Sequence, residues 1–161
     1  MEIITSSLNI YCQKGNIIQI LNKDDNRLKV KHISNKQVHN IGRLNMSVYK
    51  CISNEYITDE VVITEKQLLH IKEKHPEAYD NTISYIKCIL EQPDYIIKDK
   101  HPNTCLVIKQ IMSCEKHLLL VLRICTSCDK GYKNSIITSW EISDTRLNNY
   151  LRNKQILYKR E

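Results

Sequence analysis

The chain has 161 residues and a formal net charge of +6, with 42% hydrophobic and 26% charged residues. This balance is ordinary for a globular domain with a real core, and it excludes a low-complexity or fibrous chain. The longest unbroken apolar run, residues 118–122, is far too short to span a bilayer. Because the first residues also lack the pattern of a secretory signal, we expect a cytoplasmic protein without membrane contact.

The first 60 residues give the weakest structural signals. Short apolar runs at residues 17–21 and 28–30, separated by the polar segment 23–26, predict a small β-hairpin or meander within residues 1–38. Residues 39–60 show no clear period. We therefore expect a β-rich extension of unknown role over residues 1–58 and a second domain over residues 59–161.

Two helices are predicted at the start of the second domain. Thr64 and Gln67 have the spacing of a capping box, and Ile63 with Leu68 fits the flanking apolar staple. This helix should end near residue 74, because Pro76 disfavours helical geometry at the preceding residue. A second helix is expected over residues 81–91, closed by Pro93.

Four strands follow, over residues 95–98, 104–111, 117–125 and 135–142. The connections between them are short, which favours antiparallel hairpins over parallel crossovers. A last helix is expected over residues 143–149 and a closing strand near residues 156–158. The predicted fold class is α+β, with two helices followed by a four-stranded antiparallel sheet.

Two histidines lie on the first predicted helix. A helical projection places His75 on the arc of Leu68 and Ile71, whereas His70 falls nearly opposite. Their spacing of five residues argues against joint metal ligation, for which four is usual. At the C-terminus of the helix, His75 would be stabilised as a cation, which suits an acid or a phosphate-binding group. The alternative is that both are structural or solvent-facing.

The strand over residues 135–142 alternates in polarity. Simple alternation places Ile136, Thr138, Trp140 and Ile142 on one side and Ser135, Ser139 and Glu141 on the other. Thr138 on an apolar face either bonds a neighbouring backbone group or donates to a phosphate oxygen, and Trp140 either fills the core or stacks on a base. Lys109 and Arg123 interrupt the neighbouring apolar strands, where a cation either reaches solvent or binds phosphate.

Seven cysteines raise the question of zinc, since Cys114-x2-His117 and Cys125-x2-Cys128 resemble two pairs of ligands. A buried strand over residues 118–124 would separate the pairs by roughly 23 Å at ~3.3 Å per residue. One zinc ion needs every ligand within ~2.0–2.3 Å. We therefore expect reduced thiols, no metal and no cofactor, with a zinc-dependent regulator as the alternative.

The end of the chain is basic. Residues 130–161 hold seven Lys and Arg side chains against three acidic ones. A clustered positive field of this kind attracts polyanions such as nucleic acids.

The segment from Val61 to Tyr158 resembles the phage-associated Barnase–EndoU–colicin E5/D–RelE-like (BECR) nucleases. The resemblance rests on several short motifs in the expected order: Val61-Val-Ile-Thr64, His70-Ile-x-x-x-His75-Pro, Pro93-Asp-Tyr-Ile96, the strand ending in Lys109, Asn134-Ser-Ile-Ile-Thr138-x-Trp140 and Leu157-Tyr158-Lys159. It implies helices packed on an antiparallel sheet and a metal-independent endoribonuclease. Several such enzymes cut tRNA, and toxin-like members are paired with an inhibitor or immunity protein.

The resemblance also implies roles for particular residues. Colicin D-like members combine a helix His and a nearby Lys with a strand hydroxyl two residues before a Trp, which Lys72-x-x-His75 and Thr138-x-Trp140 match, although His70 competes. We expect His70 as base, His75 as acid or phosphate donor, Lys109 and Arg123 as phosphate ligands, and Thr138 to orient the phosphate. The residues expected to bind RNA are Lys72, Lys133, Asn134, Ser135 and Trp140. The alternative is an RNA-binding module from a mobile element that does not cleave.

Overall fold

The computed structural model describes residues 10–13, 16–19, 37–113, 115–129 and 131–161. The described part contains nine strands and four helices. In chain order they are β1 (Ile10–Gln13), β2 (Asn16–Gln19), β3 (Val38–Arg43), α1 (Met46–Tyr49), β4 (Glu60–Thr64), α2 (Glu65–Lys74), α3 (Pro76–Glu91), β5 (Tyr95–Lys98), β6 (Thr104–Ile111), β7 (Lys116–Arg123), β8 (Asn134–Ile142), α4 (Asp144–Asn153) and β9 (Ile156–Lys159).

The main sheet has seven strands in the order β3-β4-β8-β7-β6-β5-β9, and β1 pairs with β2 in a separate hairpin. The α+β class is confirmed, but the prediction of two helices followed by a four-stranded antiparallel sheet was wrong. The four predicted strands form the centre of a larger sheet, which β3 and β4 extend on one side and β9 on the other. The sheet is mixed, because β4 and β8 run parallel.

The short connections between consecutive strands predicted antiparallel pairing only, and the parallel pair of β4 and β8 was missed because these strands are not consecutive. β4 and β8 are separated by two helices and three strands, a crossover long enough to join parallel neighbours. Pairing is limited to Val61 with Asn134 and Val62 with Ser135. The remainder of β8 on that side adjoins α2 and α3, which both pack on it.

The helices follow local sequence signals closely. The side chain of Thr64 accepts a hydrogen bond from the backbone of Gln67, whose side chain binds the Thr64 N–H in return, so the predicted capping box is present. The helix α3 begins at Pro76, earlier than predicted, since proline is well suited to the first helical position. The last helix also extends further than predicted, to Asn153.

The sheet has a core on each face. Leu118, Leu120 and Leu122 of β7 pack with α2 and α3 on one face, which we call the α3 face. Leu119 and Val121 pack with Leu147 of α4 on the other, which we call the α4 face. On the α4 face, α4 covers the region near Ile142, while Arg123 at the far end of β7 stays exposed.

Part of the N-terminal region belongs to the same layered structure. β3 pairs with β4 over its whole length, and the buried Tyr49 of α1 donates its hydroxyl to the Leu90 carbonyl of α3 at 2.9 Å. Both elements precede the domain boundary expected at residue 58, which stays a prediction. The expected run at residues 28–30 lies outside the described residues, and none of the described helices is long and apolar enough to cross a membrane.

Candidate active site

His75 lies at the corner between α2 and α3, where its backbone is held from both sides. Its N–H donates to the Ile71 carbonyl at 2.7 Å, and its own carbonyl accepts from the Ala78 N–H at 3.0 Å. The half-buried imidazole lies against Trp140 of β8, with ring centroids 5.6 Å apart and planes tilted by 36°. Because Pro76 restricts the backbone of His75, the corner presents this ring in a defined position.

A β-bulge in β8 decides which side chains share a face. Val121 pairs with Thr138 and Leu122 with Ile136, so Ile137 is an extra residue without a partner on β7. The bulge places Ile136 on the α3 face with Leu122, and Ser135 on the α4 face opposite Arg123. The predicted alternation of Ile136 with Thr138 was therefore wrong. Instead, Ser135, Thr138 and Trp140 follow one another along the α4 face.

The other side of β8 is occupied by contacts with α3. Ser139 is fully buried and shares a 2.8 Å hydrogen bond with Thr82. Glu141 accepts from Asn81 at 3.0 Å and forms an ion pair with Lys116 at 3.4 Å. These polar groups are satisfied within the α3 face, whereas Ser135, Thr138 and Trp140 are directed to the α4 face, followed by the core residue Ile142.

Thr138 has an unusual hydroxyl. Its Oγ1 is screened from solvent and has no hydrogen-bond partner among the described residues, although the side chain as a whole is only half buried. A buried hydroxyl without a partner costs about 1–3 kcal/mol. Thr138 lies two residues from Trp140, roughly 7 Å along the strand. An unused donor therefore lies on the same strand as the tryptophan that contacts His75.

Ser135, Thr138 and Trp140 form a row along the α4 face. A cavity of about 360 Å³ lies at the Ser135 end of this row, beside the loop between β7 and β8. Its polar lining includes Arg123, Asp129, Tyr132, Lys133 and Ser135. Arg123 donates to the Asp129 carboxylate at 3.1 Å, and the same carboxylate accepts from the backbone and hydroxyl of Thr126. The volume of the cavity is within the range of about 300–1,000 Å³ for small-molecule pockets.

Asn134 at the start of β8 and Cys125 after β7 hold the loop beneath this cavity. Asn134 is fully buried: it accepts from the Cys125 N–H at 2.8 Å and donates to the carbonyls of Thr58 and Glu60 at 2.8 and 3.0 Å. The Cys125 thiol donates to the carbonyls of Asp129 and Tyr132 at 3.4 and 3.2 Å. Burial raises the pKa of this thiol, and the nearby Asp129 carboxylate raises it further. Asn134, expected to bind RNA, thus holds the loop against β4.

Two expected lysines and one histidine lie in different surroundings. His70 is exposed on α2, away from the buried residues Leu68 and Ile71, as the helical projection predicted. The Lys72 ammonium lies 5.7 Å from the centre of the Tyr79 ring. The Lys133 ammonium lines the cavity and forms an ion pair with Glu60. Among these, Lys133 alone adjoins the row of Ser135, Thr138 and Trp140.

Lys109 does not join this group, contrary to expectation. Its pairing with Leu118 places it on the α3 face, opposite to Thr138. The buried ammonium donates to the Gln92 carbonyl at 2.7 Å and lies 3.7 Å from the Asp94 carboxylate. Lys109 therefore satisfies a helix end and a buried acid, and its ammonium is not directed toward the candidate site.

Two of the four residues considered as zinc ligands, His117 and Cys125, have other partners. His117 lies 2.6 Å from Asp144, at the opposite end of β7 from Cys125, and Cys114 falls outside the described residues. The argument against a shared zinc site depended on a strand over residues 118–124. This strand is present as β7. Across the described ranges, no group of three or more His, Cys, Asp or Glu side chains has the arrangement of a metal site.

Residues 38–159 match the family model described as phage-Barnase-EndoU-ColicinE5/D-RelE like nuclease 2. The match covers most of the chain, and the protein belongs to this family of nucleases. Its substrate is accordingly a nucleic acid. Searches of curated proteins and of solved structures found no match.

Sequence reasoning missed the loop residues Asp129 and Tyr132. Both lie in the short connection expected between the strands over residues 117–125 and 135–142, and nothing in the sequence of such a connection indicates that it folds back on the neighbouring strand. The signal that was available is Gly131, whose φ of +84° is a conformation that glycine adopts readily.

Proposed function

We propose that this protein is an endoribonuclease in which the ribose 2′-hydroxyl attacks the adjacent phosphorus. The observation that carries the proposal is the His75 ring held against Trp140, on the strand that also carries the unpaired hydroxyl of Thr138. An internal 2′-hydroxyl supplies the nucleophile, so the reaction requires positioned proton transfer and charge stabilisation but no metal-activated water. RNA is therefore favoured over DNA as the substrate.

In the proposed reaction, His75 accepts the proton of the 2′-hydroxyl. The bond between O2′ and phosphorus forms, the bond between phosphorus and O5′ breaks, and the leaving 5′-oxygen takes a proton from solvent. The products are a 2′,3′-cyclic phosphate and a 5′-hydroxyl. We assign the base role to His75 and not to His70, because His70 is exposed on the outer side of α2.

The other members of the row would stabilise the phosphate and position the substrate. Arg123 and Ser135 lie on the same face at the other end of the row, roughly 15 Å from Trp140, where they would bind another phosphate of the RNA. Thr138 would donate after its side chain rotates about χ1, since the hydroxyl is screened from solvent in the free protein. Trp140 would wall the site or stack on a base.

The family resemblance supports tRNA as a candidate substrate and a toxin-like role opposed by an inhibitor or immunity protein. An RNA-binding module that does not cleave is the alternative. The excess of basic side chains in residues 130–161 suits either protein.

The experiment is incubation of the purified protein with total tRNA in the presence of EDTA, followed by mapping of the product ends. We expect cleavage with a 2′,3′-cyclic phosphate and a 5′-hydroxyl. Products with a 5′-phosphate, or activity that EDTA abolishes, would contradict the mechanism. Tight RNA binding without cleavage would favour the alternative.

A further inference from the structure

An exposed tyrosine stands at the cavity between β7 and β8. The side chain of Tyr132 is 74% exposed, although it lines the cavity and belongs to neither described core cluster. Tyrosine combines a large apolar ring with a polar tip, and such residues are enriched where proteins bind other molecules. The ring makes no evident contribution to the fold and is free to contact a ligand.

The backbone beneath this ring is fixed. The Tyr132 N–H donates to the Asp129 carbonyl at 3.1 Å, and the Tyr132 carbonyl accepts from the Cys125 thiol at 3.2 Å. Asp129 is itself held by Arg123 and Thr126. Because these contacts hold the backbone of Tyr132 and the side chain of Asp129 in place, a ligand that binds the ring would lose less conformational entropy on ordering the site.

Charges near the ring indicate the chemistry of the ligand. The guanidinium of Arg123 and the ammonium of Lys133 line the same cavity, where Arg123 forms an ion pair with Asp129 and Lys133 with Glu60. Side chains of this type bind phosphate, and an adjacent aromatic ring can stack on a base. An aromatic ring beside two cations is the combination used by proteins that bind single-stranded nucleic acids.

We propose that Tyr132 stacks on an unpaired nucleobase of the substrate, whose phosphate is bound by Arg123 and Lys133. This inference rests on the proposed function and extends it to the class of RNA. Ser135 at the cavity and Trp140 at His75 are five residues apart along β8, roughly 15 Å, so the two aromatic rings would contact different nucleotides. A base within a duplex is stacked on its neighbours, so the site would select single-stranded segments.

The test is the affinity of Tyr132 variants for an uncleavable 2′-O-methyl single-stranded oligonucleotide and for a duplex of the same sequence. Tyr132→Ala should weaken single-strand binding by roughly 5- to 150-fold, the range expected for loss of one stack. Tyr132→Phe should bind like the wild type, and duplex affinity should not change with either substitution. Replacing one base at a time by an abasic nucleotide should reveal a position where Tyr132→Ala has no further effect.

The two proposals fail in different ways. If RNA is cut in a His75-dependent manner but Tyr132→Ala binds the single strand as the wild type does, the stacking proposal is overturned and the nuclease proposal stands. Equal losses for single strand and duplex would also overturn it. If the wild-type protein neither binds nor cuts RNA, both proposals fail.

Discussion

The rings of His75 and Trp140 lie with centroids 5.6 Å apart and connect the corner between two helices to the edge of the sheet. This contact is possible because β4 pairs with only the first two residues of β8, so that α2 and α3 adjoin the remainder of that edge. Trp140 is also packed against the α4-face core. The imidazole is therefore positioned by tertiary packing as well as by its own helix.

Thr138 provides a test that separates stability from activity. Thr138→Val removes a screened hydroxyl that has no partner in the described structure, so the free energy of unfolding should rise by about 1 kcal/mol. Cleavage should fall by roughly 10- to 10²-fold if the hydroxyl donates to the phosphate. Urea unfolding and initial rates measure the two effects, with Thr138→Ser as the control that keeps the hydroxyl. A less stable but fully active Thr138→Val would contradict this role.

Lys109 should matter for stability alone. Lys109→Met removes the donor to the Gln92 carbonyl and the cation beside Asp94, so we expect a loss of about 1–3 kcal/mol in the free energy of unfolding. The rate of RNA cleavage should stay at the wild-type value well below the melting temperature. A variant of wild-type stability with reduced cleavage would show that Lys109 acts on the substrate after all.

A phosphate contact of Arg123 should be detected by the salt dependence of RNA binding. If its guanidinium contacts a phosphate, Arg123→Gln should reduce the slope of log K against log salt by about 0.7 for a single strand. Arg160→Gln is the matched control, since Arg160 also pairs with one carboxylate, Asp94 at 2.9 Å, but follows β9 at the far edge of the sheet. The assignment of Arg123 fails if both variants keep the wild-type slope.

The backbone conformation of Gly131 should determine the path of the loop between β7 and β8. Its φ is +84°, and no atom would contact an added Cβ within 4 Å, so any penalty comes from the backbone. We expect Gly131→Ala to cost about 1–2 kcal/mol in stability and to weaken RNA binding. Gly131→Asn should be better tolerated, because asparagine adopts left-handed conformations more readily. Equal stability and affinity for alanine and asparagine would show that the loop does not need this conformation.

Signals that act over a few residues were read correctly from the sequence. The capping box of Thr64 and Gln67 and the break at Pro76 depend on neighbours along the chain, and both positioned His75 at a helix end. The row of Ser135, Thr138 and Trp140 could not be read in the same way. It depends on one unpaired residue, Ile137, and a bulge is defined by hydrogen bonds to another strand.

The error over Lys109 has a related cause. The sequence of β6 showed a cation among apolar residues. The face of the sheet on which Lys109 lies is fixed by the register of β6 with β7. Its partners, the Gln92 carbonyl and Asp94, are defined only once α3 has packed on the sheet. Similarly, the parallel pairing of β4 with β8 joins residues more than seventy positions apart, beyond the range of local sequence patterns.

The most direct test of the account compares two histidines of the same helix region. His75→Ala should lower the rate of RNA cleavage by roughly 10²- to 10⁴-fold, the usual contribution of a positioned proton-transfer group. His70→Ala should cleave at the wild-type rate, because this exposed side chain lies on the outer side of α2. Full activity in His75→Ala, or an equal loss in both variants, would contradict the proposed site.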